Sequence, residues 1–376
     1  MTIGVLKDDR AGENRIALLP DSVKSLSQKG ARICVESGLG EHLHITDDQY
    51  QQSGGETVDR SEIYNQADII LRVRSPEIKE IAEFKDHAVY ISFLDPFRQK
   101  DLVRAFQDKK ISALSLEMIP RSTIAQKMDA ISSQANLAGY YAVILAAERI
   151  HKILPMMMTP AGTIAPARVF VIGAGVAGLQ AIATAKRLGA RVEAFDTRPV
   201  VAEQVLSLGA KFIEIDLGET GQTEQGYARQ LTPEQLEKQR QAMADICSHS
   251  DIVITTAQVF GREAPRIISK DMIAGMAAGS VIVDMAVESG GNVEGSEAGH
   301  EVDHNGVRVL GLNNLPGHVA LSASQMLSNN MANLIAHFWD DADKVFRLDR
   351  EDDFFRSCLL THQGEMINER IKELLS

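Results

Sequence analysis

A chain of 376 residues exceeds what one ordinary core accommodates and predicts two domains, each able to bury a sizeable apolar interior. With 44% hydrophobic and 24% charged residues the composition is that of a water-soluble globular protein, and no apolar run approaches the roughly 18 residues needed to span a bilayer. A net charge of -12, relieved by no basic run, repels nucleic-acid phosphate and anionic lipid and excludes nucleic acid as a partner.

The opening MTIGVLKDDRAGENR meets charges at once and lacks the apolar segment of a secretory signal, which predicts a cytoplasmic protein. Cys34, Cys247 and Cys358 are odd in number, far apart and in no metal-ligand spacing, so they read as reduced packing residues with no metal site. Through the first 120 residues TIGVLK, ARICVES, ADIILRV, HAVYISF and ISALSLEMI read as strands, with DSVKSLSQKG and QKDLVRAFQDKK as helices between them. Such alternation predicts an α/β domain with a mainly parallel sheet covered on both faces.

Residues 121–140, RSTIAQKMDAISSQANLAGY, follow. Laid on a helix they put Ile124, Met128, Ile131 and Ala135 in one stripe, with Gln126, Asp129 and Ser133 opposite. From spacing alone a solvated surface helix is favoured over a functional polar face. The position of the stretch at the connection between the two predicted domains favours a functional face, because ligand clefts concentrate there. Met156, Met157 and Met158 read as adaptable packing beneath the junction.

A second series of strands runs through ARVFVIGAG, ARVEAFD, AKFIEI, DIVITTA, SVIVDMA and VRVLGL. Its first strand leads directly into Gly173, Gly175 and Gly178 at the start of a predicted helix, the pattern of a Rossmann dinucleotide-binding turn. Gly173 suits the tight turn, Gly175 the close approach of a pyrophosphate, and Gly178 the packing of helix on strand. Asp196, about twenty residues past the glycines at the end of the next strand, has the place of a carboxylate that accepts from ribose hydroxyls. It favours NAD(H), while Arg198 beside it could soften the repulsion of a 2′-phosphate. The alternative, a glycine turn that serves packing alone, has to explain strand, helix and acid together.

The loops TTAQVFGREAP, DMAVESGGN and LNNLPG each begin where a strand ends, at the carboxyl edge where open α/β sheets bind ligands. Residues 216–235 are polar, glycine-bearing and long for a connection, and their one aromatic, Tyr227, is either an ordinary surface tyrosine or part of a lid. His318 has no metal-ligand spacing and reads as structural. The tail from HVALSASQMLSNNMANLIAHFW onward has helical periodicity without new strands, and is expected to return to the first domain. The expected division is residues 1–130 with about 320–376, and a Rossmann domain of residues 136–318.

Taken together, PRSTIAQKMDAISSQANLAGYYAV, PMMMTPAGTIAPARVFVIGAGVAGLQAIATAKRLGA, FDTRP, GYARQL and VDMAVESGGN resemble the NAD(H)-binding component of proton-translocating nicotinamide nucleotide transhydrogenase over almost the whole chain. The resemblance implies a homodimeric peripheral subunit that binds NADH and passes hydride to NADP⁺ held by a membrane-attached partner subunit. In its terms Arg121, Gln126, Asp129 and Ser132 cradle the nicotinamide end, and Val176 lies at the pyrophosphate. Asp196, Thr197 and Arg198 meet the adenosine, Gly226 and Tyr227 sit on a mobile loop, and Gln239 and Gln258 fall at nucleotide-contacting positions, Gln258 where an aliphatic residue is common. The chain stops without an apolar span, as in the split form whose membrane helices belong to other subunits.

The ENRIALLP segment is also similar to alanine dehydrogenases, which share the two-domain architecture. Oxidative deamination needs a general acid/base and a cation for the substrate carboxylate, whereas hydride exchange between nicotinamides needs neither. By resemblance Asp95 stands where those enzymes have a catalytic histidine and Glu288 where they have an aspartate, while Arg15 and Arg74 fall near the substrate-carboxylate positions.

Overall fold

A computed structural model describes residues 1–216, 218 and 232–375. The chain divides into two compact units, Met1–Gln134 with Gly317–Ser376, and Ala135–Pro316.

The first unit opens with β1 (Thr2–Val5), β2 (Arg32–Glu36), β3 (Gly55–Val58), β4 (Ile69–Arg74), β5 (Val89–Phe93) and β6 (Ser112–Ser115). These strands are parallel and lie in the order β6-β5-β4-β1-β2-β3. Ile3, Val5, Ile33, Val35, Ile69, Ile70, Leu71, Tyr90 and Ile91 are fully buried, so neighbouring positions on both faces of a strand are apolar, as helices covering both faces require.

The first strands of the second unit form a two-stranded antiparallel hairpin, β7 (Met157–Thr159) and β8 (Gly162–Ile164). Its main sheet has β9 (Arg168–Ile172), β10 (Arg191–Phe195), β11 (Lys211–Phe212), β12 (Ile252–Thr255), β13 (Val281–Asp284), β14 (His300–His304) and β15 (Val307–Gly311). Their order is β11-β10-β9-β12-β13-β15-β14, parallel except for the β14 edge. With β14 set aside, the chain-order pattern is third, second, first, fourth, fifth, sixth, the doubly wound order of a dinucleotide-binding sheet. The strand order reverses between β9 and β12, so the crevice above that seam is where such a sheet takes ligands.

The tail returns to the first unit and departs from the expectation of helices alone. After the helix Ala320–His337 come the short ribbon β16 (Trp339–Asp340) and β17 (Val345–Phe346), then β18 (Leu359–His362) and β19 (Glu365–Met366). β18 pairs antiparallel with β6, and β19 with β18, which completes an eight-stranded sheet. Strands of two to four residues carry too little alternation to register as a period, and their stability comes from a partner some 250 residues away in the chain, as in the bond from the Thr361 hydroxyl to the Ile111 carbonyl at 2.8 Å.

Two further expectations are corrected. Residues 121–129 are not helical beyond a 3₁₀ turn at Ala125–Met128, and the α-helix starts at Ala130 and runs to Arg149. Ile124 is therefore exposed, and the buried side of the turn is Ala125 and Met128. The three methionines are not core packing: Met156, Met157 and Met158 lie on or beside β7 and are 61%, 45% and 73% exposed.

Candidate functional site

The turn after β9 is built by exclusion. Gly173 has φ +97°, in the left-handed region, and a Cβ there would stand 2.5 Å from Thr256 Oγ1. A Cβ on Gly178 would stand 1.8 Å from the Gly173 carbonyl oxygen, so that position admits only glycine while the turn keeps this shape. Gly175 is the N-cap of the helix Val176–Arg187, and a Cβ there would meet nothing within 4 Å. Open space thus lies against the first turn of a helix whose leading N–H groups have no intrahelical acceptor, which is the physical requirement for an anion such as a pyrophosphate. Val176, the first helical residue, is 39% exposed beside that space. A glycine that sequence reasoning passed over fixes the helix from behind: a Cβ on Gly139 would lie 2.1 Å from the Ala177 carbonyl oxygen.

Asp196 follows β10 and is buried. Its Oδ2 accepts the Ala174 N–H of the glycine turn at 2.7 Å, tying acid to turn. Arg198 closes on the same carboxylate through Nε and Nη2 at 2.9 and 2.8 Å, and that bonding holds the guanidinium pKa above its ordinary value against the opposing effect of burial. Thr197 lies between them, half-buried.

Two residues missed from the sequence organise the other side of the crevice. Asp284, fully buried at the end of β13, accepts the N–H groups of Ala286, Asn292 and Val293 at 3.0, 3.1 and 3.2 Å. Asn292 then accepts the Ala257 N–H at 3.0 Å and donates to the carbonyls of Ala257 and Pro265 at 2.8 and 2.9 Å. Loops following β12 and β13 are thereby pinned to each other, with Gln258 exposed and donating to the Met285 carbonyl at 3.2 Å. The motif VDMAVESGGN held the signal, since an Asp and an Asn closing a glycine loop have the donor and acceptor set for this lock. Gln239, on the helix Pro233–Ser248, is buried with Nε2 3.7 Å from Met243 Sδ, and its Oε1 has no hydrogen-bond partner among the described residues. An orphaned acceptor of this kind costs about 1–3 kcal/mol and suits a site completed by a ligand donor.

In the first unit, Gln126 lies on the 3₁₀ turn, Asp129 directly after it and Ser132 in the first turn of the helix that follows, while Arg121 precedes them on an exposed stretch. Asp129 caps the helix that follows: its Oδ1 accepts the Ser132 N–H at 2.9 Å and its Oδ2 the Ser132 hydroxyl at 2.6 Å. The turn is clamped by Asn330, whose Oδ1 accepts from the Ser133 hydroxyl at 2.7 Å and whose Nδ2 donates to the Lys127 carbonyl at 2.9 Å. Gln126 is left exposed at a rigidly held position. Gly226 and Tyr227 lie outside the described residues. Among the described residues no group of His, Cys, Asp or Glu could hold a metal ion, and no helix is long and apolar enough to cross a membrane.

Comparison with known proteins places this geometry in a family. Residues 4–138 match the alanine dehydrogenase/PNT N-terminal domain and residues 142–369 the alanine dehydrogenase/PNT C-terminal domain. The chain is 41% identical over 376 residues to the first part of NAD(P) transhydrogenase subunit alpha of Rhodospirillum rubrum, covering 98% of each chain. The crystal structure of transhydrogenase from Sinorhizobium meliloti superposes with a TM-score of 0.85 at 39% identity, covering 98% of this chain and 100% of that one. An L-alanine dehydrogenase structure has the same fold, with a TM-score of 0.83 at 22% identity over 100% of this chain and 99% of that one. Two domain matches end to end, together with relatives near 40% identity, show that this chain belongs to the alanine dehydrogenase/PNT family of oxidoreductases, among its transhydrogenase alpha subunits.

Proposed function

We propose that the chain is the NAD(H)-binding peripheral subunit of a proton-translocating nicotinamide nucleotide transhydrogenase. The observation that carries the reading is the glycine turn at the reversal of strand order, with open space over Gly175 and a buried carboxylate, Asp196, bonded to the same turn. Gly173, Gly175, Gly178 and Val176 would hold the pyrophosphate, Asp196 and Thr197 the adenosine with Arg198 beside them, and Gln239 and Gln258 further polar edges of the nucleotide. Arg121, Gln126, Asp129 and Ser132 would position the nicotinamide end. Bound NADH supplies a hydride and NADP⁺ on the beta subunit accepts it, so the residues of this chain orient and exclude water and transfer no proton themselves. The proton path belongs to the membrane-embedded subunits, which this chain would meet from the cytoplasmic side.

Alanine dehydrogenation is the competing reading, and the N-terminal unit offers it little. Each nitrogen of the Arg15 guanidinium is engaged, Nε and Nη2 on Glu13 at 2.7 and 2.6 Å and Nη1 on Gln134 at 2.9 Å. Glu13 also accepts from Arg74 Nε at 2.8 Å, so this arginine pair is committed to an internal carboxylate. Asp95 is a half-exposed acid where that chemistry uses a histidine, and Glu288 Oε2 accepts the Asn314 N–H at 3.0 Å. The test mixes the purified chain with an NADP(H)-binding beta component, NADPH and acetylpyridine adenine dinucleotide. Reduction of the analogue is expected only when both proteins are present. Turnover of pyruvate, ammonium and NADH by this chain alone would replace the proposal with an amino-acid dehydrogenase.

The hairpin supports the homodimer. Met156, Met158 and Ile164 are 61%, 73% and 47% exposed on and beside a two-stranded ribbon, an arrangement that water does not favour and that a second copy could cover. Met158→Asp is expected to halve the mass measured by sedimentation equilibrium, and an unchanged mass would remove the hairpin from the dimer seam.

A further inference from the structure

The adenosine end of the crevice is filled from within. A carboxylate has about four lone-pair positions for donors. On Asp196 all four are used: Oδ1 accepts the Arg198 N–H at 2.8 Å and Arg198 Nε at 2.9 Å, while Oδ2 accepts the Ala174 N–H at 2.7 Å and Arg198 Nη2 at 2.8 Å. The two side chains are only 14% and 5% exposed, so the pair is shielded from water and ions. Two of the four bonds come from backbone and are fixed by the turns. The other two come from a side chain with rotatable bonds and can leave.

We propose that the Arg198 guanidinium is a displaceable plug on Asp196 that narrows the preference this carboxylate imposes for 2′-hydroxyl over 2′-phosphate dinucleotides. The inference rests on the NAD(H) reading above. A ribose diol brings two O–H donors and needs two acceptor positions on Asp196. The only ones that can be vacated are those held by Nε and Nη2, so a dinucleotide with free hydroxyls displaces the guanidinium and bears the cost of breaking a bidentate, charge-assisted pair. A 2′-phosphate cannot donate to Asp196 and is repelled by it, yet it offers the planar guanidinium a bidentate partner close to where it already sits. Arg198 therefore works against the first ligand and for the second, and its presence narrows the discrimination that Asp196 alone would impose.

The experiment is calorimetric titration of NADH and NADPH into wild type, Arg198→Ala and Arg198→Lys. In Arg198→Ala the ratio of NADPH to NADH dissociation constants is expected to rise at least about fivefold over wild type. Arg198→Lys, which keeps a point charge without the fork, should fall between them. A change in ratio below fivefold, or one in the opposite direction, overturns the proposal. Should wild type bind no NADH, the nucleotide reading itself has failed and the plug falls with it. A second measurement needs no variant to fold well: the ¹⁵Nε resonance of Arg198, assigned by its loss in Arg198→Lys, is expected to move toward the solvent-exposed value on addition of NADH to wild type. A resonance that stays in place while NADH binds shows that the guanidinium is not displaced.

Discussion

Gln126→Ala is expected to slow hydride transfer by about two orders of magnitude in the assembled complex, while the NADH dissociation constant of the isolated chain changes by less than about threefold. The size follows from what positioning residues do: holding two reacting carbons at near-contact distance replaces the entropy of finding that arrangement, and a displacement of roughly 1 Å can cost a factor of 100. Gln126 suits this role because its backbone is immobilised and its side chain is free to meet a ligand. Ala125 and Met128 on either side of it are buried, and Asn330 ties the turn down through the Lys127 carbonyl. The bulk of the binding free energy should come from the proposed pyrophosphate and adenosine contacts, which the substitution leaves intact. Stopped-flow single-turnover rates alongside equilibrium titration separate the two effects. Equal losses in rate and affinity would make Gln126 an ordinary binding contact.

The sequence made some of this architecture legible for definite physical reasons. The parallel strands of both sheets are continuous apolar runs such as Val169–Ile172 within β9, because helices cover both faces, and runs of that kind announce themselves without any partner. The Gly173, Gly175 and Gly178 spacing could be read because one strand-turn-helix unit needs a left-handed φ at Gly173, a bare backbone at Gly178 against the Gly173 carbonyl, and open space over Gly175 at the helix N-terminus. What escaped depends on distant partners. β18 exists because β6 offers it an edge, and Leu359–His362 has no alternation that would show it. The polar face assigned to residues 121–140 assumed one continuous helix, but Asp129 is engaged as an N-cap and moves the helix start to Ala130, which turns Ile124 outward. The Asp284–Asn292 lock left its two side chains in the sequence but not their pairing, because their partners are backbone groups, and backbone groups carry no residue identity.

Glu13→Gln should destabilise the N-terminal unit by about 3–5 kcal/mol at neutral pH, the cost of breaking a buried ion pair by removing one partner's charge. Glu13 and Arg15 have side chains 1% and 3% exposed, and Arg74 Nε donates to the same carboxylate. Burial pushes the Glu13 carboxyl up, but the Arg15 bonds and charge, with Arg74 behind them, overcome it and hold the group down to about 2 against an ordinary 4.5. A carboxylate depressed in the folded state stabilises fully above its unfolded value and loses that contribution as pH falls through its folded value. The window is therefore pH 4.5 down to about 2. Over it the wild type should lose about 3 kcal/mol through this group, with about 1.4 kcal/mol gone by roughly pH 3.5. Glu13→Gln has no proton to take up there, so the two stability curves converge on acidification. Trp339, the one tryptophan, lies in the same unit and donates to the Lys29 carbonyl at 3.1 Å, so its fluorescence in urea reports this unit's unfolding. A gap between wild type and variant that stays constant from pH 7 to 3.5 would mean that the carboxylate charge contributes no net stability, and that Glu13 serves only to fill the space between two arginines.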